Sequence, residues 1–418
     1  MTVRALVFFM ATLLATATCN ILEDPLGYSS SLEVVHLFYG QFPVGIAVSA
    51  SGRKFSCYPA GFDEENTNNG TNNAIQVSEL ITFDSETPYP NAAINNPPNG
   101  SIDFSGPYPR TKGLSNYFLG VQAVVIDFLD TLWILDTGRV SYAGVMLESS
   151  PGGPKLVSID LTNDTIIRIF TFPTSVAKPI SYFSDVRFDT FRGFAYIADA
   201  SPGVQANALV VVDLESGDSW RVLERDLSVI GTPGFVPFIY GDPVYTIQRS
   251  SSGEIVGVEF ITIGVGGVAL SPDTDTLYYS AADGRYLFSV QTALLRDRFT
   301  PGPDIVGSVR NLGEKGWSAA IASDSLGFVY GGNFEQDGVF VFDPRTGFAV
   351  LLVRDKMINF VSRFSVGEDG YLYFMVNQLH SLPSFYSGRG ELGEDRRQKP
   401  YVVFRIRLPG NATKSPGS

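Results

Sequence analysis

The sequence predicts an all-β protein, and specifically a six-bladed β-propeller. Composition is the first observation behind this prediction: of the 418 residues, 44% are hydrophobic, 42 are Gly and 25 are Pro, and long helical patterns are absent. Such a composition favours many short strands joined by turns. The second observation is a short apolar hairpin pattern that occurs six times along the chain. A single hairpin cannot bury both of its faces, whereas a ring of four-stranded blades can.

The clearest copy of the hairpin is Gln122–Gly138, which reads QAVVIDFLDTLWILDTG. Two apolar runs, Ala123–Ile126 and Leu132–Leu135, flank a turn at Phe128–Asp130. Each run is too short for a helix and is rich in β-branched and aromatic residues. Both runs are therefore predicted to be buried strands of one antiparallel hairpin.

The six copies place their turns near Ser51, Leu129, Thr190, Thr274, Ser325 and Glu368. Most copies are followed by a second strand pair, as a four-stranded blade requires. A β-sandwich would not need this recurrence, and a parallel β-helix would have a shorter and stricter repeat. We expect the first strand of each copy to line a central channel. We also expect the strand near Glu33–Tyr39 to close the ring by pairing with the last blade.

The chain divides into three predicted parts: a secretory signal at residues 1–19, one propeller domain at 20–408 and a disordered tail at 409–418. Within the propeller, residues 61–116 are rich in Asn, Pro, Gly and Ser and, apart from a short strand at Gln76–Phe83, are predicted to form a long surface excursion. Residues 223–255 are also irregular, with one strand expected at Tyr245–Arg249.

The N-terminal segment has the features of an exported protein. Arg4 supplies a positive charge, Ala5–Ala15 is apolar but too short to span a bilayer comfortably, and small residues follow it. Four glycosylation sequons agree with export, at Asn69, Asn99, Asn163 and Asn411. The mature protein is therefore expected to be a secreted, extracellular glycoprotein.

The chain contains only two cysteines, Cys19 and Cys57, so disulfides do not hold the fold together. If signal cleavage follows Ala17, the mature chain keeps Cys19, and a Cys19–Cys57 disulfide is an alternative that the sequence does not decide.

The net charge of −13 argues against a nucleic-acid partner, and no cluster of Lys and Arg offsets it. It is compatible with a cationic small ligand. We expect a small-molecule partner, no membrane partner, no cofactor and a monomer.

No catalytic constellation stands out. The only histidines, His36 and His380, exclude a three-His zinc site, and no G-x-S-x-G motif occurs. His36 is expected to be structural, whereas His380 could reach a channel mouth. Asp136 and Asp199 each end a second strand and are expected to cap turns through backbone amides.

Polar residues at the starts of the inner strands are the candidate ligand-binding set. Gln122, Asp185 and Ser318 lie at such positions, as do Ser184 and Arg363. Inner-strand ends converge around the axis of a propeller, where a carboxylate could pair with an ammonium group. An aromatic face, for which Trp317 is a candidate, could stack on an indole or a catechol.

Several segments resemble the Yellow/major royal jelly protein family between about residues 33 and 408. The segments are QAVVIDFLDTLWILDTG, SYFSDVRFDTFRGFAYIADAS, GGVALSPDTDTLYYSAADGRYLFSVQTALLRD, VGSVRNLGEKGWSAAIASDSLGFVYGGN and GYLYFMVNQL. The resemblance implies a secreted six-bladed propeller. Members of the family include amine-binding salivary proteins, pigment-linked proteins with assigned dopachrome-converting activity, and nutritional proteins. The family's amine site uses a hydroxyl and an amide, and its best matches here are Ser318 and Asn333.

The leading expectation is thus a non-catalytic protein that binds a small aromatic or amine ligand through Gln122, Asp185, Trp317, Ser318 and Asn333. One alternative is a dopachrome-type isomerase with Asp185 or His380 as the general base. Another is a calcium-dependent, lactonase-like hydrolase that would use oxygen ligands from Asp185, Asn333 and Asn377. The last is a storage or structural glycoprotein without a ligand.

Overall fold

The computed structural model describes Ser29 and residues 31–68, 74–203, 205–250 and 253–417. The predicted signal segment, Cys19 and the sequon at Asn69 lie outside the described residues.

The described residues contain six four-stranded antiparallel sheets; five are formed by strands in chain order, and the sixth takes its outer strand from the N-terminal part of the chain. Sheet 1 comprises Ala47–Val48, Lys54–Cys57, Val77–Leu80 and Glu86–Pro88. Sheet 2 comprises Val121–Ile126, Thr131–Asp136, Lys155–Asp160 and Thr165–Thr171. Sheet 3 comprises Phe183–Asp189, Phe194–Asp199, Ala208–Asp213 and Ser219–Val222. Sheet 4 comprises Val265–Leu270, Thr276–Ala281, Tyr286–Gln291 and Arg310–Glu314. Sheet 5 comprises Ile321–Ser323, Val329–Asn333, Gly338–Asp343 and Phe348–Arg354. Sheet 6 comprises Val361–Val366, Tyr371–Val376, Tyr401–Arg407 and Glu33–Phe38.

The sheets are arranged as a β-propeller, which confirms the predicted fold class. The first strand of each sheet lies against the first strand of the next, and that of sheet 6 lies against that of sheet 1. Sheet 6 joins the two ends of the described chain, because Glu33–Phe38 pairs antiparallel with Tyr401–Arg407. The expected pairing of the N-terminal strand with the last sheet is therefore confirmed.

Shorter elements connect the sheets. Two-stranded pairs are Ile102–Asp103 with Arg110–Thr111, Ser141–Tyr142 with Val145–Met146, and Phe238–Ile239 with Asp242–Pro243. A three-stranded sheet contains Ile255–Glu259, the predicted strand Tyr245–Arg249, and Phe385–Tyr386. The α-helices are Ala92–Asn95, Thr292–Arg296 and Gly302–Ser308, and the 3-10 turns are Glu64–Asn66, Leu379–Ser381 and Pro409–Asn411.

The first hairpin of sheet 2 shows why its sequence turns where it does. Oδ1 of Asp127 accepts hydrogen bonds from the amides of Leu129 and Thr131, both at 2.9 Å, and so fixes the turn. Its Oδ2 accepts the indole N–H of Trp133 at 2.8 Å. The Trp133 ring in turn stacks on Phe188 of sheet 3, with centroids 4.4 Å apart. One carboxylate thus links the turn to the packing between two sheets.

The two strand-end carboxylates cap turns as predicted. Asp136 accepts the amides of Leu119 and Gly120, at 2.8 and 3.0 Å, and Asp199 accepts the amide of Tyr182 at 2.9 Å. Each of them also holds a buried cation, which the sequence did not predict. Lys155 lies 2.8 Å from Asp136, and Arg221 lies 2.9 Å from Asp199.

His36 has structural surroundings, as expected, and so does Cys57. The ring nitrogens of His36 lie 2.9 Å from the carbonyl oxygen of Thr82 and 2.9 Å from Glu86. Cys57 is a buried free thiol in a strand of sheet 1.

Residues 409–417 belong to the segment that the sequence predicts to be a disordered tail. In the structure they instead pack against the inner strands. The carbonyl oxygen of Gly417 accepts the amide of Leu270 at 3.3 Å, and Nζ of Lys414 donates to the carbonyl oxygen of Asp127 at 2.9 Å. Lys414 also lines a small axial cavity together with Arg187. Both contacts are hydrogen bonds to backbone carbonyl oxygens. Such contacts do not require an apolar pattern, so the sequence of the segment did not predict them.

Candidate functional site

The central cavity lies where inner strands of the propeller converge. It encloses ≈ 830 Å³ of empty space, including its opening to solvent. Gln122, Ser184, Gly266 and Arg363 line it from the first strands of sheets 2, 3, 4 and 6. The remaining lining residues are Val44, Phe62, Met146, Tyr182, Ala200, Pro202, Val244, Ile261, Ile263, Ala282, Trp317, Ala319, Phe360, Ser362, Asn377, Leu379, His380 and Phe385. None of these described lining residues is acidic.

Packed aromatic rings form one wall of the central cavity. The indole N–H of Trp317 donates to the carbonyl oxygen of Ala282 at 2.8 Å, which fixes the plane of the ring. Phe360 meets Trp317 edge-on at 6.1 Å and stacks on Phe334 at 4.0 Å between centroids. The wall therefore presents an ordered aromatic surface, which suits stacking or edge contacts with a planar ligand.

Gln122 and Tyr182 form a polar pair in the lining of the same cavity. The hydroxyl of Tyr182 donates to Oε1 of Gln122. Burial raises the pKa of Tyr182 well above its usual range, so the hydroxyl stays protonated and remains a donor. Because Oε1 accepts this bond, the Gln122 amide is oriented, and its NH₂ group is the part of the side chain that can donate.

Arg363 supplies the only cationic side chain among the described lining residues. It is 6% exposed, and its guanidinium donates to the carbonyl oxygens of Ser362, at 2.7 Å, and of Ser184. Its Nε is buried and has no hydrogen-bond partner among the described residues. A buried, unsatisfied N–H of a cation is costly, so this atom marks a position where an acceptor would be stabilised.

His380 lies in the same cavity and stacks on Phe360, with ring centroids 6.2 Å apart. Burial lowers its pKa to about 4, with a smaller contribution from the positive charge of Arg396. The imidazole is therefore neutral at physiological pH. Its Nδ1 has no hydrogen-bond partner within the described part of the chain.

The structure separates the predicted ligand-binding residues into three places. Gln122 and Trp317 line the central cavity. Asp185 does not, because its carboxylate pairs with Arg187 at 2.8 Å and accepts the amide of Val268 at 3.2 Å. Ser318 and Asn333 lie in different surroundings, described next. The carboxylate that was expected to pair with an ammonium ligand is thus already bound to a cation of the protein.

A second space, the lateral cavity, lies between residues of sheets 4 and 5 and encloses ≈ 680 Å³, including its opening. It is lined by Arg285, Glu314, Lys315, Gly316, Asn333, Glu335, Gln336, Phe340, Ala349, Val350 and Leu351. The hydroxyl of Ser318 accepts a hydrogen bond from Nζ of Lys315 at 2.8 Å. The hydroxyl that the resemblance assigned to an amine ligand is therefore occupied by an amine of the chain itself.

Sequence reasoning missed Phe62 and Lys315, and it considered Asn377 only as a metal ligand. Phe62 and Asn377 line the central cavity from outside the inner strands. Asp185, Asn333 and Asn377 were considered together as calcium ligands, but the structure places them in three different surroundings. In the described ranges, no group of three or more His, Cys, Asp or Glu side chains is placed to hold a metal ion.

The fold and the cavity define the class of the protein: a β-propeller with an aromatic-walled cavity at its axis. Residues 119–386 match the model of the family described as "Major royal jelly protein". The chain belongs to the major royal jelly protein family, which confirms the resemblance found from its segments.

The sequence identity to individual members of the family is low. The chain is 30% identical over 191 residues to "Major royal jelly protein 7" of Apis mellifera, covering 44% of this chain and 39% of that protein. It is 26% identical over 206 residues to "Protein yellow" of Drosophila melanogaster, covering 46% of this chain and 34% of that protein. The matched region thus spans well under half the length of these curated relatives.

Among solved structures, a luciferin-regenerating enzyme is similar with a TM-score of 0.51 at 10% sequence identity, covering 92% of this chain and 97% of the enzyme. At this identity the likeness supports the propeller fold alone. Among the described residues, no helix has the length and apolar character needed to cross a membrane.

Proposed function

We propose that the protein is a secreted binding protein whose central cavity holds a small aromatic ligand. The observation that carries this proposal is the aromatic-walled cavity lined by Arg363, whose Nε is buried without a hydrogen-bond partner among the described residues. Ligand sites in proteins are commonly concave, largely apolar and equipped with a few polar groups that orient the ligand. The central cavity has each of these properties.

The polar groups of the cavity favour a ligand that accepts hydrogen bonds. Arg363 can only donate, and the NH₂ group of Gln122 is a donor as well. A cationic amine would lie near Arg363 in a site of low dielectric constant, without a carboxylate among the described lining residues to offset the repulsion. A neutral or anionic aromatic compound is therefore the better match, and an amine is the weaker one.

Export and glycosylation form part of the same proposal. The asparagines of the sequons at residues 99, 163 and 411 are all exposed in the structure. An exposed Asn in a sequon can carry a glycan without disturbing the core. These positions support a secreted glycoprotein.

The charge preference of the central cavity can be measured with three indoles that share one ring. Calorimetry with hydroxyindole, the carboxylate of hydroxyindoleacetic acid (the acetate) and serotonin compares a neutral, an anionic and a cationic ligand. We expect the acetate to bind roughly tenfold or more tightly than serotonin, because a hydrogen bond to a charged group contributes about 1.5–3 kcal/mol. Arg363→Met should remove this preference, and Arg363→Lys should keep part of it.

The matched control for these variants is Arg345→Met, because Arg345 is an exposed arginine of sheet 5 that pairs with Asp343. It should bind all three compounds as the unchanged protein does. Tightest binding of serotonin, or no heat from any compound at high micromolar concentrations, would contradict the proposal.

A second candidate function is proton transfer on a quinone-like ligand in the same cavity. Of the two general bases that the sequence suggested, Asp185 is bound to Arg187, whereas His380 lines the cavity as a neutral imidazole. If this function holds, purified protein accelerates the decay of dopachrome in a spectrophotometric assay and His380→Gln abolishes the acceleration. A decay rate that the protein leaves unchanged, or an acceleration that survives His380→Gln, would remove this candidate.

A further inference from the structure

The lateral cavity contains a buried amine that the proposed ligand site does not use. Lys315 is 1% exposed, and Nζ donates to Oγ of Ser318 at 2.8 Å and to the carbonyl oxygen of Gly316 at 2.9 Å. Neither acceptor carries a charge. Lys155 is equally buried but lies 2.8 Å from the carboxylate of Asp136, so the chain contains its own comparison.

The two buried lysines differ in what stabilises their charge. At Lys315 burial acts without any compensating carboxylate and lowers the pKa to about 7. At Lys155 burial also lowers the pKa, but the charge of Asp136 and the hydrogen bond that Nζ donates to its carboxylate oppose the shift. A large share of Lys315 is therefore the neutral amine at physiological pH, which is the nucleophilic form.

The surroundings of Lys315 combine apolar walls with an unused acceptor. Phe340, Val350 and Leu351 line the lateral cavity, and the Phe340 ring lies 5.9 Å from Nζ. Asn333 also lines it, and Oδ1 of Asn333 is buried with no hydrogen-bond partner in the described part of the chain. Val350 is 63% exposed, which places this wall at the surface of the molecule.

We propose that Lys315 is a reversible covalent attachment site for small aldehydes that enter the lateral cavity. The lone pair of Nζ attacks the carbonyl carbon and forms a C–N bond, while the C=O π electrons move to oxygen, which takes up a proton and gives a carbinolamine. Loss of that hydroxyl as water, with loss of the remaining proton from nitrogen, gives the imine. The sum is amine plus aldehyde to imine plus water, and no oxidant or reductant is required.

Two neighbours suit these steps. The hydroxyl of Ser318 contacts Nζ and can pass on the proton that leaves the nitrogen. Oδ1 of Asn333 can accept a hydrogen bond from the carbinolamine hydroxyl. This site is separate from the central cavity, so it stands or falls independently of the proposed ligand.

The test uses the full chain, propanal as the aldehyde and cyanoborohydride to trap the imine as a stable propyl-lysine, with labelling of each lysine followed by peptide mass spectrometry. At pH 7 we expect Lys315 to be labelled roughly tenfold or more faster than the exposed Lys356, because the lowered pKa of Lys315 gives it a far larger neutral fraction than the reference pKa of lysine would. Lys155 should remain unlabelled. Between pH 7 and 9 the ratio of Lys315 to Lys356 labelling should fall by more than tenfold, since Lys315 already holds much of its neutral amine at pH 7 and an ordinary lysine gains most of its neutral amine above that pH.

Two variants keep the test independent of folding defects at the buried site. Lys315→Met should remove the fast label. Val350→Trp, a change at an exposed position, should slow labelling of Lys315 by narrowing the cavity and leave Lys356 unchanged. Labelling of Lys315 as slow as that of Lys155, or a rate that rises with pH in parallel with Lys356, would overturn the proposal.

Discussion

Replacing Asp136 with Ala is expected to destabilise the protein by roughly 3–5 kcal/mol, the cost typical of leaving one partner of a buried ion pair uncompensated. Asp136 is fully buried, and its carboxylate lies 2.8 Å from Nζ of Lys155. The same carboxylate accepts the amides of Leu119, Gly120 and Gly138. The substitution therefore leaves both a buried cation and several backbone donors without their acceptor.

Urea unfolding at pH 7 measures this effect, with circular dichroism as the probe. The double variant Asp136→Leu/Lys155→Met should be less destabilised than Asp136→Leu alone, because it removes the stranded charge together with its partner. The control is Asp218→Ala, which breaks an exposed pair with Arg298 and should cost about 1 kcal/mol or less. A loss at Asp136 no larger than the loss at Asp218 would contradict the role assigned to this pair.

Asp283→Asn is expected to stabilise the protein at pH 7 and above. Asp283 is buried, its Oδ1 has no hydrogen-bond partner among the described residues, and burial raises its pKa from 3.8 to about 8. Between about pH 4 and 8 the folded protein therefore holds a proton that the unfolded chain has lost. The stability that this group contributes is complete below pH 4 and is lost as the pH rises towards 8.

Asparagine cannot lose that proton, so the variant should lack this part of the pH dependence. The difference between the variant and the unchanged protein should grow from pH 5 to pH 8, reaching a gain on the order of 3–4 kcal/mol at pH 7. Urea midpoints at the two pH values test this, with Asp304→Asn as the control for removing the carboxylate of an exposed aspartate. An equal difference at pH 5 and pH 8 would show that Asp283 does not titrate in this way.

The fold could be predicted from the sequence because its signals are local. The apolar run Leu132–Leu135 lies within the strand Thr131–Asp136, and the pairing of Glu33–Phe38 with the last sheet follows from the need to close a ring. The alternation of buried and exposed residues in a strand spans only a few consecutive positions, and so do the residues that form a turn. Both can therefore be recognised in the sequence. One local signal was missed: Asp127 and Asp324 both accept a bond from an aromatic side chain six residues later, at Trp133 and Tyr330.

The sites could be predicted only in part, because they depend on contacts between distant segments. Trp317 and Ser318 are adjacent in sequence, yet the first lines the central cavity and the second contacts Lys315 beside the lateral one. Asp185 is bound by Arg187, two residues away in the same strand, which no composition or spacing rule indicates. Buried lysines are equally invisible to such rules, since a lysine is ordinarily expected at the surface.

The central proposal is that the cavity at the axis holds an aromatic ligand at Arg363. The most direct measurement is the electron density in this cavity for protein purified from its native source. We predict a planar molecule against Trp317 and Phe360, with an acceptor atom within hydrogen-bond distance of Nε of Arg363. Density for ordered water alone, or for an amine bound at Ser318 and Asn333 instead, would contradict the account.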